Sequence, residues 1–124
     1  MGRFVEASEV REARAEWWEP GETVTVKRFS FGDRQYLMAA AMGDSARVKK
    51  GDAAGDVSVS VRIEHMNLAI LKRGIARWTL KLADGSTAPL TAEVIASLRE
   101  QDANFILKEI SDYNPTLDEE AKNA

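Results

Sequence analysis

The stretch WTLKLADGSTAPLT, residues 78–91, constrains the fold of this chain more than any other part of the sequence. Trp78, Leu80 and Leu82 alternate with less apolar neighbours, which is the period of a half-buried strand. Asp84-Gly85 follows, and this dipeptide is typical of a tight turn. The first half of the stretch therefore predicts a strand that ends in a turn.

The second half of the stretch has the pattern of a helix start. Pro89 ends any extended pairing, and Thr91 stands immediately before the run AEVIASLRE. A threonine in this position caps a helix, and Glu93 lies in the first turn, where the helix dipole favours an acid. We interpret Trp78 as the core anchor that ties this corner to the element before it.

A second strand and helix are predicted earlier in the chain. Pro20-Gly21 indicates a turn, and the alternating β-branched residues of ETVTVKRF predict a strand near residues 22–28. Residues 14–18 are expected to pair back onto this strand as a hairpin. Ser30 is expected to cap a helix that Gly43 ends.

The remaining segments are two helices and a polar connection. Residues 44–56 are small, polar and charged, which indicates a loop. Residues 57–61, VSVSV, are compatible with a short strand or with a loop that leads into a helix. A helix is predicted over residues 64–78, EHMNLAILKRGIARW, and a last helix is expected to be capped by Asp102 and stopped by Asn114-Pro115.

Together these elements predict a predominantly helical α+β fold, with about four helices packed against a small antiparallel sheet. The strands of that sheet are expected near residues 22–28 and 78–83. The 124 residues correspond to one domain, which we place at residues 1–114, with a polar C-terminal tail over 115–124 that frays. The predicted core residues are large, apolar and inward-facing: Trp78, Leu80, Leu82, Phe105 and Ile110.

Composition excludes several classes of function. The 17 basic and 20 acidic side chains leave a formal net charge of -3, whereas nucleic-acid-binding domains usually carry a basic excess. The absence of cysteine rules out disulfides and thiolate metal sites. The N-terminus has no apolar signal region, and no apolar run approaches the roughly 18 residues that span a bilayer. We expect a soluble, cytoplasmic protein that has no membrane partner.

Candidate catalytic residues are few. His65 is the single histidine, and as a metal ligand it would have only Glu64 beside it, whereas a metal site needs several ligands. There is no nucleophile elbow, and GDAAGD lacks the lysine of a phosphate-binding loop. Asp84 and Glu93 could form a carboxylate pair in the fold, but solvated acids of a turn and of a first helical turn explain them better. The sequence predicts no enzymatic activity, no cofactor and no metal.

A cluster of basic residues offers one alternative function. Lys72, Arg73, Arg77 and Lys81 lie close together in the sequence and flank Trp78. Basic side chains beside an aromatic ring suit single-stranded nucleic acid. A solvated helix face beside a core tryptophan explains the same pattern, and the net acidic charge favours that interpretation.

The methionines suggest a partner-binding surface. Met38 and Met42 are four residues apart and are therefore neighbours on one helix. Methionine surfaces adapt to varied helical partners, although methionine also fills irregular gaps in a core. If the side chains bind a partner helix, the groove would be lined by Met38, Met42, Met66 and Ile70.

Three stretches of the sequence resemble the small tail assembly chaperones of long-tailed, siphovirus-like bacteriophages. They are VTVKRFSFGDRQYLMAAAM, then NLAILKRGIARWTLKLADGSTAPLT, and finally the pair AEVIASLRE and ANFILKEISDYN. The resemblance implies a non-enzymatic protein of the host cytoplasm that binds the long, helical tape-measure protein. It also implies that the protein prevents aggregation of its partner, helps to recruit tail-tube subunits and is absent from the mature virion.

Two other functions stay open on the sequence alone. One is a permanent structural component of the virion, such as a tail or neck completion protein. The other is a small nucleic-acid-binding regulator, although we expect no nucleic acid among the partners. A homo-oligomer is compatible with each of these functions.

Overall fold

The computed structural model describes residues 2–48 and 66–115, and it describes side chains for 2–41 and 66–115. The described residues form four helices and a three-stranded antiparallel sheet, which confirms the predicted α+β class. In chain order the elements are β1 (Val10–Ala13), β2 (Val24–Lys27), α1 (Phe31–Val48), α2 (residues 66–74), β3 (Ile75–Trp78), α3 (Ala92–Ala96) and α4 (Glu100–Tyr113).

β2 is the central strand of the sheet, which has the order β1-β2-β3. Val24 and Val26 are fully buried, as expected from their alternation, but Thr25 is buried as well. A strand with neighbours on both sides has less solvent contact than an edge strand, so the alternation in the sequence understates its burial. The first strand was predicted at residues 14–18 and lies instead at Val10–Ala13, where it pairs with β2.

β3 begins earlier than the strand predicted at residues 78–83, within the segment predicted to continue the preceding helix. Trp78 lies opposite Val24, and Ile75 lies opposite Val26. Ile75 and Trp78 are three positions apart in β3, whereas their partners in β2 are two positions apart. The extra residue in β3 makes a β-bulge. The bulge lets both Trp78 and Ile75 face the core, a spacing that simple alternation does not anticipate.

The residues after β3 form a small hairpin that leaves the sheet. Lys81 pairs with Thr87, and Gly85 has a φ of +89° at the predicted Asp-Gly turn. Because the chain here pairs with itself, the alternation no longer points toward the core. Leu82 is therefore 44% exposed, and its assignment to the core is wrong.

The other predicted core residues lie where they were expected. Trp78 and Leu80 are buried, and Ile110 has no solvent exposure. Phe105 is half-buried and packs against the same cluster. The buried cluster includes residues from the sheet and from all four described helices, and β2 lies against α4.

α1 begins with a reciprocal cap. The N–H of Asp33 donates to the Ser30 hydroxyl oxygen at 3.2 Å, while the Ser30 N–H donates to the Asp33 carboxylate at 2.9 Å. This confirms Ser30 as the cap. The predicted stop at Gly43 is wrong, because α1 continues to Val48. One glycine costs only about 1 kcal/mol in a helix interior, and this does not by itself end a helix.

The last two helices differ in how closely they follow the prediction. The Thr91 hydroxyl oxygen accepts a hydrogen bond from the N–H of Val94 at 3.3 Å, so the predicted cap of α3 is confirmed. Asp102 is not the cap of α4, which begins at Glu100 and has Arg99 at its N-cap. The Asp102 side chain bonds elsewhere, because distant donors compete for its carboxylate.

Several predictions fall outside the described residues. They concern the segment 57–61, His65, the tail from residue 116 onward and the part of the predicted 44–56 loop beyond residue 48. Residues 44–48 of that predicted loop belong to α1 instead, so the prediction is wrong there. Among the helices that are described, none is both long enough and apolar enough to cross a bilayer.

Candidate partner-binding groove

A groove of about 410 Å³ opens where three parts of the chain meet. The turn after β1 contributes one wall, the hairpin after β3 contributes the second, and the junction of α3 and α4 contributes the third. We call this the Trp17 groove. Its lining residues are Trp17, Trp18, Glu22, Trp78, Leu80, Lys81, Leu82, Ala88, Val94, Ser97, Leu98, Arg99, Gln101 and Asp102.

One carboxylate holds both tryptophans of the first wall. Oδ1 of Asp102 accepts a hydrogen bond from Nε1 of Trp17 at 2.6 Å and another from Nε1 of Trp18 at 2.8 Å. Trp18 is buried, whereas Trp17 remains 51% exposed. The shared acceptor therefore fixes the orientation of an indole that still presents much of its surface to solvent.

Phe105 supports the same two rings from α4. Its ring centroid lies 5.8 Å from that of Trp17 and 5.1 Å from that of Trp18, and both contacts are edge-to-face. Such contacts add about 0.5–1.5 kcal/mol to the burial of aromatic surface. The aromatic wall is thus preorganised by a hydrogen-bond acceptor and by packing.

The floor of the groove is part of the core. Nε1 of Trp78 donates to the carbonyl oxygen of Ala88 at 2.8 Å, which ties β3 to the end of the hairpin. Ala88 and Leu80 are buried next to it, and the N–H of Ala88 donates to the Leu80 carbonyl at 2.7 Å. Trp78 is therefore the predicted anchor of this corner and also the base of the groove.

A carboxylate at the edge of the groove is occupied by backbone donors. One oxygen of Glu22 accepts the N–H of Glu19 at 2.8 Å, and the other accepts the N–H of Lys81 at 2.9 Å. These bonds tie the turn before β2 to the hairpin after β3, and so link two of the walls of the groove.

The residues predicted to line a methionine groove differ in their exposure to solvent where the structure describes them. Met38 is 51% exposed on α1. Met66 and Ile70 are half-buried on α2 and pack against the core. The side chain of Met42 lies outside the described part of the chain. The described members thus differ in exposure, and partner binding by Met38, Met66 and Ile70 stays a prediction.

One member of the basic cluster, Arg73, makes contacts that stabilise the fold. Nε of Arg73 donates to Asp33 at 2.8 Å, and its guanidinium carbon lies 4.6 Å from the ring centroid of Tyr36. Lys27 also contacts this carboxylate, at 3.3 Å. Burial raises the pKa of Asp33, but the hydrogen bonds from Ser30, Arg73 and Lys27 outweigh it and hold the pKa below its ordinary value.

The turn acid singled out in the sequence has a local structural role. Oδ1 of Asp84 accepts the Ser86 hydroxyl at 2.6 Å and the Ser86 N–H at 2.9 Å, and these two bonds lower the pKa of Asp84. In the described part of the chain, no three His, Cys, Asp or Glu side chains are grouped so that they could hold a metal ion.

The Trp17 groove was not among the sites predicted from the sequence. Its signal in the sequence is the pair Trp17-Trp18, because two adjacent large aromatic side chains cannot easily both enter one core. The partner acid, Asp102, lies 85 positions from Trp17 and has no sequence pattern that links the two. In comparisons with known protein families, curated proteins and solved structures, the chain has no significant match.

Proposed function

We propose that this chain is a non-enzymatic tail assembly chaperone of a long-tailed phage, which binds the tape-measure protein in the host cytoplasm. The observation that carries the proposal is the exposed indole of Trp17, which Asp102 orients and which lines the same groove as the exposed Leu82. The partner is inferred from the resemblance described above. Binding would keep the apolar surface of the tape-measure protein in solution until tail-tube subunits replace the chaperone.

Preorganisation of the Trp17 side chain lowers the free-energy cost of binding a partner. A partner that binds an already ordered aromatic side chain does not pay the entropy of ordering it, which is about 0.5–1.5 kcal/mol for a flexible side chain. Tryptophan is also among the residues that most often contribute large shares of binding energy at protein interfaces. An amphipathic helix laid in the groove would bury the exposed faces of Trp17 and Leu82.

Co-expression tests the proposal. The tape-measure protein of the same phage should be insoluble when expressed alone and should move to the soluble fraction with this chain. The Leu82→Ser variant should lose most of this effect. Leu90→Ser is the matched control, because Leu90 is exposed to 40% but does not line the groove. Circular dichroism of each purified variant checks that the fold is kept.

The same assay examines the methionine surface predicted from the sequence. Met38→Asp should reduce solubilisation only if the outer face of α1 also contacts the partner. A tape-measure protein that stays insoluble with the folded wild-type chain would contradict the proposal. So would detection of this chain by mass spectrometry in purified mature particles, since a chaperone leaves before completion, and that result would favour the structural virion component.

A further inference from the structure

The charged side chains of the Trp17 groove are not equivalent. Its two acids, Glu22 and Asp102, keep their negative charge, but they are half-buried and each accepts two N–H groups of the protein. Its two cations, Lys81 and Arg99, are exposed, and within the described residues their charged groups have no hydrogen-bond or ion-pair partner. The groove therefore combines an apolar interior with two exposed cations, which a partner reaches more readily than it reaches the two half-buried carboxylates.

We propose that the Trp17 groove binds a partner segment in which apolar side chains are interspersed with carboxylates, and that it discriminates against a basic segment of the same apolar content. This inference rests on the proposed function, since it names the chemistry of the segment that the chaperone would hold. The apolar side chains of the partner lie between Trp17 and Leu82, and its carboxylates reach Lys81 and Arg99.

Complementary charge supports this occupant over a neutral or basic one. A carboxylate that approaches Arg99 can form two parallel hydrogen bonds with the guanidinium, and the ammonium of Lys81 can pair with a second carboxylate. A lysine of the partner would meet two like charges. The two carboxylates that could attract it, Glu22 and Asp102, are half-buried and already accept hydrogen bonds from the protein.

The size of the preference follows from the exposure of the cations. Exposed ion pairs contribute about 0.2–1 kcal/mol each. If a basic partner replaces an acidic one, two attractive pairs become repulsive, and the affinity for the groove should fall roughly tenfold. Salt reduces this contribution because the Debye length falls to about 3 Å at 1 M ionic strength. The preference should therefore shrink as salt is added, while the apolar contribution persists.

Synthetic peptides test the inference on the full-length protein without the tape-measure protein. Three tryptophan-free twelve-residue peptides share the same three leucines and one phenylalanine. They differ at one common set of positions, which hold only glutamate in the first peptide, only glutamine in the second and only lysine in the third. Calorimetric titration at low salt should give the tightest binding for the glutamate peptide and about tenfold weaker binding for the lysine peptide. At 1 M salt the three affinities should converge.

Variants assign the effect to the groove. Lys81→Glu combined with Arg99→Glu should reverse the order of the glutamate and lysine peptides. Lys72→Glu combined with Arg77→Glu makes the same change in net charge at exposed positions outside the groove and should leave the order unchanged. Trp17→Ala should weaken binding of all three peptides, and circular dichroism confirms that each variant is folded.

The outcomes separate this inference from the proposed function. Equal or tighter binding of the lysine peptide, or no binding of any peptide to the wild-type chain, overturns the inference even if the tape-measure protein is solubilised. Concentration-dependent self-association that Trp17→Ala abolishes also overturns it, because the occupant is then a second copy of this chain. If the peptide order is as expected but the tape-measure protein is not solubilised, the groove chemistry stands and the proposed partner is wrong.

Discussion

Gly74, the last residue of α2, lies directly against the side chain of Ile110 on α4. A Cβ atom placed on Gly74 would be 2.6 Å from Cδ1 of Ile110 and 3.0 Å from its Cγ1. Ile110 is fully buried, so its side chain cannot shift away toward solvent and any shift must repack its neighbours in the core. The absence of a side chain at this one residue allows the chain to turn from α2 into β3 while it remains in contact with α4.

Gly74→Ala should therefore destabilise the protein, although alanine normally favours a helix. Overpacking of a close-packed core typically costs about 1–3 kcal/mol, and we expect a loss of this size in the free energy of unfolding measured with urea. Gly32→Ala is the matched control, because the nearest atom to its added Cβ is 3.7 Å away, and it should be neutral or slightly stabilising.

A second variant tests the contact itself. Ile110→Val removes Cδ1, the atom closest to the added methyl group, and alone should cost about 0.5–1.5 kcal/mol. Combined with Gly74→Ala, it should destabilise the protein by less than the sum of the two single changes. Strict additivity would contradict the steric explanation.

Asn114 joins the end of α4 to the end of β2 through three hydrogen bonds. Its Oδ1 accepts the N–H of Phe29 at 2.8 Å, and its Nδ2 donates to the carbonyl oxygens of Lys27 and Ile110 at 3.0 Å each. Asn114→Ala leaves these buried groups without a partner, and the free energy of unfolding should fall by about 2–3 kcal/mol. Asn104→Ala, at an exposed position of the same helix, should change it little, and equal losses would refute the explanation.

The carboxylate of Asp33 should make stability depend on pH. Because the pKa of Asp33 is lower in the folded protein than its ordinary value of 3.8, its ionised form stabilises the fold. This contribution is fully present well above pH 3.8 and is lost as the pH falls through the lowered folded-state pKa. The free energy of unfolding of Asp33→Asn should therefore be about 1–3 kcal/mol lower than that of wild type at pH 7, and this difference should become smaller in strong acid.

Urea unfolding at pH 7 and near pH 3 measures this difference. Asp112→Asn serves as the control, since Asp112 is exposed on α4, and its difference from wild type should stay small at both pH values. If the stability difference between wild type and Asp33→Asn became larger in acid, the pKa of Asp33 would not be lowered in the folded protein.

Leu80 and Leu82 should respond very differently to truncation although they look alike in the sequence. Leu80 is 8% exposed, and Leu80→Ala should cost about 2–5 kcal/mol of unfolding free energy. Leu82 is largely exposed, and Leu82→Ala should change stability by about 0.5 kcal/mol or less. Thermal unfolding of the two variants under one condition checks this, and similar losses would mean that the hairpin packs onto the core.

The features that were correctly predicted from the sequence depend on interactions within a few residues. Ser30 bonds to Asp33, Thr91 bonds to Val94, and Gly85 adopts the positive φ of the Asp-Gly turn. Each arrangement follows from the chemistry of a short segment, whatever the rest of the chain does. The same is true of the central strand, because β-branched residues in alternation favour an extended backbone wherever they occur.

The tertiary structure alone decided which apolar residues face the core and where the groove lies. The bulge that turns both Ile75 and Trp78 inward arises from the register between β3 and β2, and the exposure of Leu82 follows from the departure of its hairpin from the sheet. Asp102 accepts the Trp17 indole across 85 positions of sequence. Such contacts form only when the whole fold brings distant segments together, so local patterns determined the elements of this protein and long-range packing determined its candidate site.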